Sequence, residues 1–407
     1  MKTADFYTYT LPNGIRGIHR QVRSKVAHCA LAVNAGSRDE LRSEHGLAHF
    51  TEHGFFKGTT HRKAFQVNCR LENLGGELNA YTTKEDTTIH ATTLRSDFSK
   101  AVELIADVAF NSTFPDKELA KEREVIIDEI NTYKDSPTEL LFDTFEDMIF
   151  EGSDLGHNIL GRKSSLAKFN SESVFQFRRR THTTDQMVFS STGNFSPAVA
   201  EQVARRYLAE QEASVRGYDR VAPSAVTPFF KSVAKHTHQT HCIVGNRAYG
   251  ILNPKRLALS LLINIIGGPC ANSLLNILLR EKKGLSYNVG AYYTPYCDSG
   301  IVFIYFSCDT DKTDLCLELI DSELRKLQTT PLTARRLAMA KKQYIAQLAI
   351  TLSANESCML GLGKSLLVRD TLDTFEESCR KIRAITAEEI MEIANEVFSN
   401  NSTLMYK

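Results

Sequence analysis

Two stretches of this chain run through the same order of elements, and that repetition narrows its possible folds more than any single residue does. Each opens on short β-rich runs, "AHCALAVNAG" (27–36) and "HCIVGNRAYGI" (241–251). Each continues with a helix-length apolar pattern and then alternating strands, "ELNAYTTKEDTTIHATTL" (77–94) and "SYNVGAYYTPYCDSGIVFIYFSCD" (286–309). A helix opening near a proline follows in both, "FPDKELAKEREVIIDEI" (114–130) and "TPLTARRLAMAKKQYIAQLAI" (330–350). Proline suits a helix start because its φ is already helical and its missing N–H is not needed there. Strands and helices grouped this way predict an α+β protein with helices packed on mainly antiparallel sheets. Between the two stretches, "LAEQEASVRGYDRVAPSAVTPFF" (208–230) is polar, carries two prolines and has no sustained periodicity. It reads as a linker. The expected organisation is two similar domains, 1–208 and 229–407, joined by residues 209–228.

Length agrees, since 407 residues are too many for one core. With 49 Lys+Arg against 48 Asp+Glu, the chain has no net field to attract nucleic acid or an acidic membrane. A partner must be chosen by a site. The longest apolar stretch, "LALSLLINIIGG" (257–268), is too short to span a bilayer. The start lacks a basic segment followed by a long apolar one, so it does not read as a secretory signal. Nine cysteines occur with no C-x-x-C pair, and an odd number cannot all pair within one chain. A reducing, cytoplasmic compartment is the expectation.

The chemistry concentrates in "SEHGLAHFTEHGFFKGT" (43–59). On a helix His49 and His53 are one turn apart and project from the same face, so both imidazoles can reach one ion. Glu52, beside His53, can reach a water on that ion. This is the mirror order of the H-E-x-x-H zinc motif. Such a string also arises on ordinary solvated helices, so the third ligand that a catalytic zinc needs becomes the deciding search. The helix "KELAKEREVIIDEI" (117–130) offers candidates. Val125 and Ile126 fall within roughly 60° of Glu129 on a wheel of ~100° per residue, and Glu122 lies nearly above Glu129. Asp128 and Glu124 point elsewhere, as solvated charges. Carboxylates on a buried face are costly unless they pair with Lys or Arg or coordinate a metal.

"GLAHFTEHGFFKGT", "GGELNAYTTKEDTTIHA" and "EREVIIDEI" together resemble the pitrilysin/insulinase-type inverzincin metallopeptidases, in their half-length, mitochondrial-processing-peptidase-like branch. The resemblance runs over essentially the whole chain. It implies the two-domain processing-peptidase-like metallopeptidase fold and one zinc ion per chain held by His49, His53 and Glu129. It further implies Glu52 as general base and Glu122 as the acid supporting the ligands. Thr51 and Gly54 stand where the family more often has leucine or another large apolar residue, and His45 is unusual just before the motif. These departures bear on local packing and remove no ligand.

"LLREKKGLSYNVGAYY" (278–293) resembles the C-terminal signature of the same family, in which an arginine and a tyrosine seven apart serve the active site. Here they are Arg280 and Tyr287, with Gly284 expected to end the helix between them. Guanidinium and phenol donors can grip a carbonyl or the oxyanion formed from it; the alternative is a basic helix end and a tyrosine packed at a sheet edge. "NAYT" (79–82) falls in an alternating strand, and the resemblance makes it an edge that pairs with substrate backbone, with Asn79 and Ala80 as substrate-binding positions. "HTHQTH" (236–241) has no acid nearby and reads as a structural feature, with His236 and His238 on one strand face and His241 on the other.

The expected function is a zinc-dependent endopeptidase acting on peptides or unfolded segments, with no nucleic-acid or membrane partner. The alternative is a non-catalytic subunit of a processing-peptidase-like complex, against which the intact H-x-x-E-H and Glu129 argue. Full-length relatives enclose peptides in four such domains, so the resemblance implies pairing of two chains. A homodimer is the expectation, since this chain carries both the zinc half and the Arg280/Tyr287 half, with a homologous partner as the alternative.

Overall fold

The computed structural model describes residues 6–235 and 237–407, so the expectation for His236 lies outside the described residues. The chain divides into two compact units. The first comprises residues 1–131, 157–221 and 351–372, and the second 132–156, 222–350 and 373–407.

In the first unit the strands are β1 (Tyr7–Thr10), β2 (Arg16–Gln21), β3 (Val26–Val33), β4 (Glu77–Thr82), β5 (Thr87–Leu94) and β6 (Met187–Gly193). They form one sheet in the order β1-β2-β6-β3-β5-β4, antiparallel except for the β2–β6 pair. The helices begin with α1 (Leu47–Phe55) and α2 (Ala64–Glu72), followed by α3 (Phe98–Asn111) and α4 (Asp116–Asp135), which runs on into the second unit. That unit receives α5 (Pro137–Ile149), started by the Ser136 side chain accepting from Glu139 N–H and by a proline at the first helical position. Back in the first unit come α6 (Lys163–Leu166), α7 (Ser171–Thr181) and α8 (Pro197–Leu208).

The second unit holds β7 (Phe230–Val233), β8 (Thr240–Ala248), β9 (Asn288–Pro295), β10 (Gly300–Cys308) and β11 (Ser402–Tyr406). Their order is β7-β11-β8-β10-β9, with only β7–β11 parallel. Its helices are α9 (Arg256–Gly267), a π-helical turn (Asn276–Lys282), α10 (Thr313–Thr329) and α11 (Ala334–Ser353). After α12 (Asn355–Arg369), which belongs to the first unit, it closes with α13 (Phe375–Ala384) and α14 (Ala387–Phe398).

Apart from the extra β1, the two sheets have the same connectivity. β2, β6, β3, β5 and β4 correspond in order and direction to β7, β11, β8, β10 and β9. The repeated order in the sequence is therefore a repeated topology. The units nevertheless depart from the continuous halves 1–208 and 229–407. In the first unit, Leu366 and Leu367 of α12 pack on Ile18, Ala32 and Val188 of the sheet. In the second, Leu141, Phe145 and Ile149 of α5 pack on Ile243, Ile301, Tyr305 and Leu404. A sheet with an apolar residue on both faces needs a cover on each. Here one cover in each unit comes from the other half of the sequence. Gly363 allows the close approach of α12: a Cβ there would lie 2.9 Å from Ser190 Oγ.

The expected linker has no helix or strand, but its first part is pinned to the first unit. Arg216 donates to Asp185 through its backbone N–H, and Tyr218 donates to Asp39 Oδ1 at 2.9 Å. Arg220 grips Asp39 with two bonds, 3.0 and 2.7 Å, and donates to the Glu85 carbonyl at 2.8 Å. Alternate residues Val215, Gly217, Asp219 and Val221 face solvent, so this is an extended strap with period two. The Asp39 side chain is fully buried and that of Arg220 is 8% exposed. Removing one partner of a buried ion pair strands the other. Arg220→Ala should therefore destabilise the protein by about 3–5 kcal/mol in denaturant titration, whereas the exposed Asp219→Ala should stay within about 0.5 kcal/mol. Equal midpoints for the two variants would show that the strap is not held by this pair.

Candidate metal centre

Helix α1 starts from a glycine and is anchored by packing. Gly46 precedes it with φ +100°, and Leu47, Phe50 and Phe55 are buried on its inner side. Two departures from the family pattern have local reasons. Gly54 faces Phe114, whose ring would lie 2.6 Å from an added Cβ, so Phe114 occupies the volume a larger residue would need. Thr51 is buried and returns its hydroxyl to the Leu47 carbonyl at 2.7 Å, satisfying itself within the helix.

The same helix aims His49 and His53 into one space, their rings edge to face with centroids 4.7 Å apart. Glu129, from α4, brings Oε2 to 3.8 Å from His49 Nε2 and 3.9 Å from His53 Nε2. These are too long for hydrogen bonds. They are close to the roughly 3.3–3.6 Å separation of ligand atoms around a tetrahedral ion with 2.0–2.2 Å bonds. The three ligand atoms lie within 4.8 Å of one another. His53 Nδ1 meets Glu122 Oε2 at 3.0 Å, which fixes the tautomer and leaves Nε2 facing Glu129. Lys57 Nζ, just past the end of α1, meets the other Glu122 oxygen at 2.7 Å. Glu122 thus pairs with a lysine and a histidine at once, whereas Glu129 has no Lys or Arg partner among the described residues.

Burial, helped by the neighbouring His53, pulls His49 down to about 3, so its ring is neutral and keeps a free lone pair. Burial also raises the Glu52 carboxyl, with Glu129 adding to the rise and nearby Thr82 and His53 opposing it. Glu52 Oε2 is buried without a hydrogen-bond partner. An orphaned carboxylate oxygen on a side chain within electrostatic reach of His53 and Glu129 is what a zinc ion with an attendant water would satisfy, and the donor set suits zinc.

The wheel reading of α4 needs one correction. Val125 is half exposed, and the buried line is Leu119, Ile126 and Ile130. Glu122 and Glu129 lie along the border of that face, with side chains 12% and 35% exposed. Asp128 and Glu124 are exposed, as expected.

β4 occupies the edge of the first sheet, paired only with β5 among the described strands. Asn79 and Ala80 are on it, and Asn79 Oδ1 accepts the Ala80 N–H at 2.9 Å. That amide is therefore already occupied by its neighbour's side chain. In the second unit, the Arg280 guanidinium lies 4.8 Å from the Tyr287 ring centroid. Arg280 is in the π-helical turn, Gly284 follows it at φ +61°, and Tyr287, 81% exposed, immediately precedes β9. His241 bonds Tyr305 Oη at 2.9 Å, while His238 is exposed. Lys57 was not singled out by its sequence context; its spacing of four from His53 was the available signal.

The family model described as insulinase (peptidase family M16) matches residues 18–163, and that of the peptidase M16 inactive domain matches residues 168–344. The chain belongs to the M16 peptidase family. Among its relatives, an uncharacterized zinc protease, YmxG, of Bacillus subtilis is 31% identical over 97% of this chain and 96% of its own length. An uncharacterized zinc protease of Rickettsia bellii is 31% identical over 92% of this chain and 90% of its own. The two-unit α+β fold is shared with a protease from Helicobacter pylori, at TM-score 0.91 and 19% identity over 99% of both chains. It is shared also with a peptidase M16 inactive domain from Pseudomonas fluorescens, at TM-score 0.92 and 19% identity over 99% of this chain and 97% of that one. No helix among the described residues is long and apolar enough to cross a membrane.

The electrostatics of this M16 centre are open to a direct check. In the metal-free protein the His49 ring should remain neutral between roughly pH 8 and pH 5, where an ordinary histidine takes up its proton. Imidazole nitrogen NMR reads the protonation state. A His49 midpoint inside that range would mean that burial does not govern the ring.

Proposed function

We propose that this chain is a zinc-dependent endopeptidase that hydrolyses peptides or unfolded segments. The observation that carries the reading is the convergence of His49, His53 and Glu129 beside a Glu52 oxygen that has no partner. Those three side chains would hold one zinc ion per chain. Zinc, when bound, polarises a carbonyl and makes water acidic enough to attack at neutral pH. Glu52 takes the proton from the attacking water and passes it to the leaving amine, a transfer favoured by a carboxyl whose affinity for protons burial has raised. Glu122 holds His53 in the productive tautomer, and Lys57 balances its charge.

Substrate binding is assigned to β4, whose open edge can add an extended chain by backbone hydrogen bonds. Because Asn79 occupies the Ala80 amide, its side chain must turn aside when a peptide backbone takes that place, or bridge to it. Arg280 and Tyr287 are assigned the grip on the substrate carbonyl, on the strength of their motif; both stand at least partly open to solvent.

Glu52→Gln is nearly isosteric and leaves the ligands in place. It should keep about one zinc per chain by elemental analysis and lose ~10² to 10⁴ in peptide turnover. His49→Ala and Glu129→Gln should lose the metal itself. Cleavage of a mixed peptide library, read by mass spectrometry, should vanish with a chelator. Full turnover in Glu52→Gln would place the proton transfer elsewhere, and full zinc retention in both ligand variants would refute the metal assignment.

A further inference from the structure

Nine residues before His49, a carboxylate is buried where no metal ligand is expected. The Glu40 side chain is 0% exposed. Its Oε1 accepts the Ala48 N–H at 2.7 Å, and its Oε2 accepts the Gly46 N–H at 2.9 Å. Oε2 also meets His157 Nε2 at 2.8 Å. The His157 ring lies flat on that of His45, with centroids 3.7 Å apart and planes 2° from parallel. The Lys84 ammonium donates to the His157 carbonyl at 2.5 Å. We infer that Glu40, backed by His157 and His45, is a positioning device that sets the helix bearing His49 and His53. The inference rests on the zinc reading above.

A buried carboxylate is costly unless its lone pairs are filled. Glu40 is filled by two amides from the first turn of α1 and by an imidazole, and the helix dipole favours its charge there. One of the two amides belongs to Ala48, the residue immediately before His49. A shift of Glu40 therefore passes through a single peptide unit to the first candidate ligand.

The turn ahead of the helix is fixed against the same neighbours. Gly46 and Gly161 touch so closely that a Cβ on Gly161 would lie 2.2 Å from the His45 carbonyl oxygen, and one on Gly46 would lie 2.8 Å from Gly161 Cα. Ser165 Oγ donates to that His45 carbonyl at 2.6 Å. Because Lys84 lies in the turn between β4 and β5, the cluster also ties the end of the edge strand to the start of the helix. The far end of α1 is held through Glu122, which joins His53 to Lys57. A carboxylate thus fixes each end of this helix, and sites of this kind need their groups held to within about 0.5 Å. His45, unexplained by the metal chemistry, acquires a role as the surface on which His157 rests.

Glu40→Gln tests the device, because a glutamine has one oxygen for two amides and must turn its own NH2 toward the other. The metal-free variant should show faster hydrogen exchange confined to residues 46–53, with distant segments unchanged. Titration with Co(II) alone should give an altered visible absorption spectrum and an affinity about 10- to 100-fold below wild type. His157→Phe keeps the stacked ring and removes the bond to Glu40, so it should move the same readouts in the same direction. It also supplies the test if Glu40→Gln does not fold. Folded variants with wild-type exchange at 46–53, or with wild-type Co(II) spectrum and affinity, overturn the inference. Should wild-type protein bind neither Co(II) nor zinc, the metal reading fails, while the exchange comparison still decides whether Glu40 fixes the helix.

Discussion

The centre depends on keeping two imidazole nitrogens free on one side of a short, packed helix. His53 could point either nitrogen at Glu129; its bond to Glu122 decides which, and Lys57 keeps Glu122 in place. His49 has no such partner for its Nδ1 among the described residues. Its orientation comes instead from burial and from the helix on which it rides. That asymmetry makes the placement of α1 itself a requirement. A histidine held by a hydrogen bond can tolerate a small helix shift, whereas one held only by its backbone cannot.

Much of this was legible in the sequence because it depends on short-range periodicity. Two histidines four apart on a helix must share a face, and Glu122 and Glu129 must share another. The alternating runs became β4, β5, β9 and β10, and the proline-led segments became α4 and α11. Val125 was misread because the wheel locates an apolar arc without saying which border of it is covered. The covered side is that of Ile126, which leaves Val125 to solvent. Glu40 was not legible for a different reason. Its partners are backbone amides and a histidine more than a hundred positions later, and neither leaves a mark in a local pattern.

The same limit explains the division of the chain. Periodicity shows that α5 and α12 are helices with an apolar side, but not which sheet that side will meet. Each helix is separated from its sheet's strands by long stretches of sequence, and both sheets need a second cover. The strap likewise has the composition of a free linker. Only the meeting of Arg220 with Asp39 and of Tyr218 with the same carboxylate turns it into a fixed element.

Two units of one topology, one of them bearing the histidines, show how little backbone difference the chemistry needs. In the first, α1 packs against β4 and presents His49 and His53. In the second, α9 packs against β9, and its corresponding surface is Leu259, Leu262, Ile263 and Ile266, all buried. An apolar helix in that position seals the core and leaves no room for a polar cluster. A helix with histidines there leaves a polar gap that must be filled by carboxylates, by an ion or by both. Glu122, Glu129, Glu52 and Glu40 all gather around α1, and each is a carboxylate that the all-apolar arrangement of α9 does without. Glu122 is matched by His53 and Lys57, and Glu40 by two amides and His157, whereas Glu129 and the free oxygen of Glu52 are left, among the described residues, without a hydrogen-bonded cation beside the histidine pair.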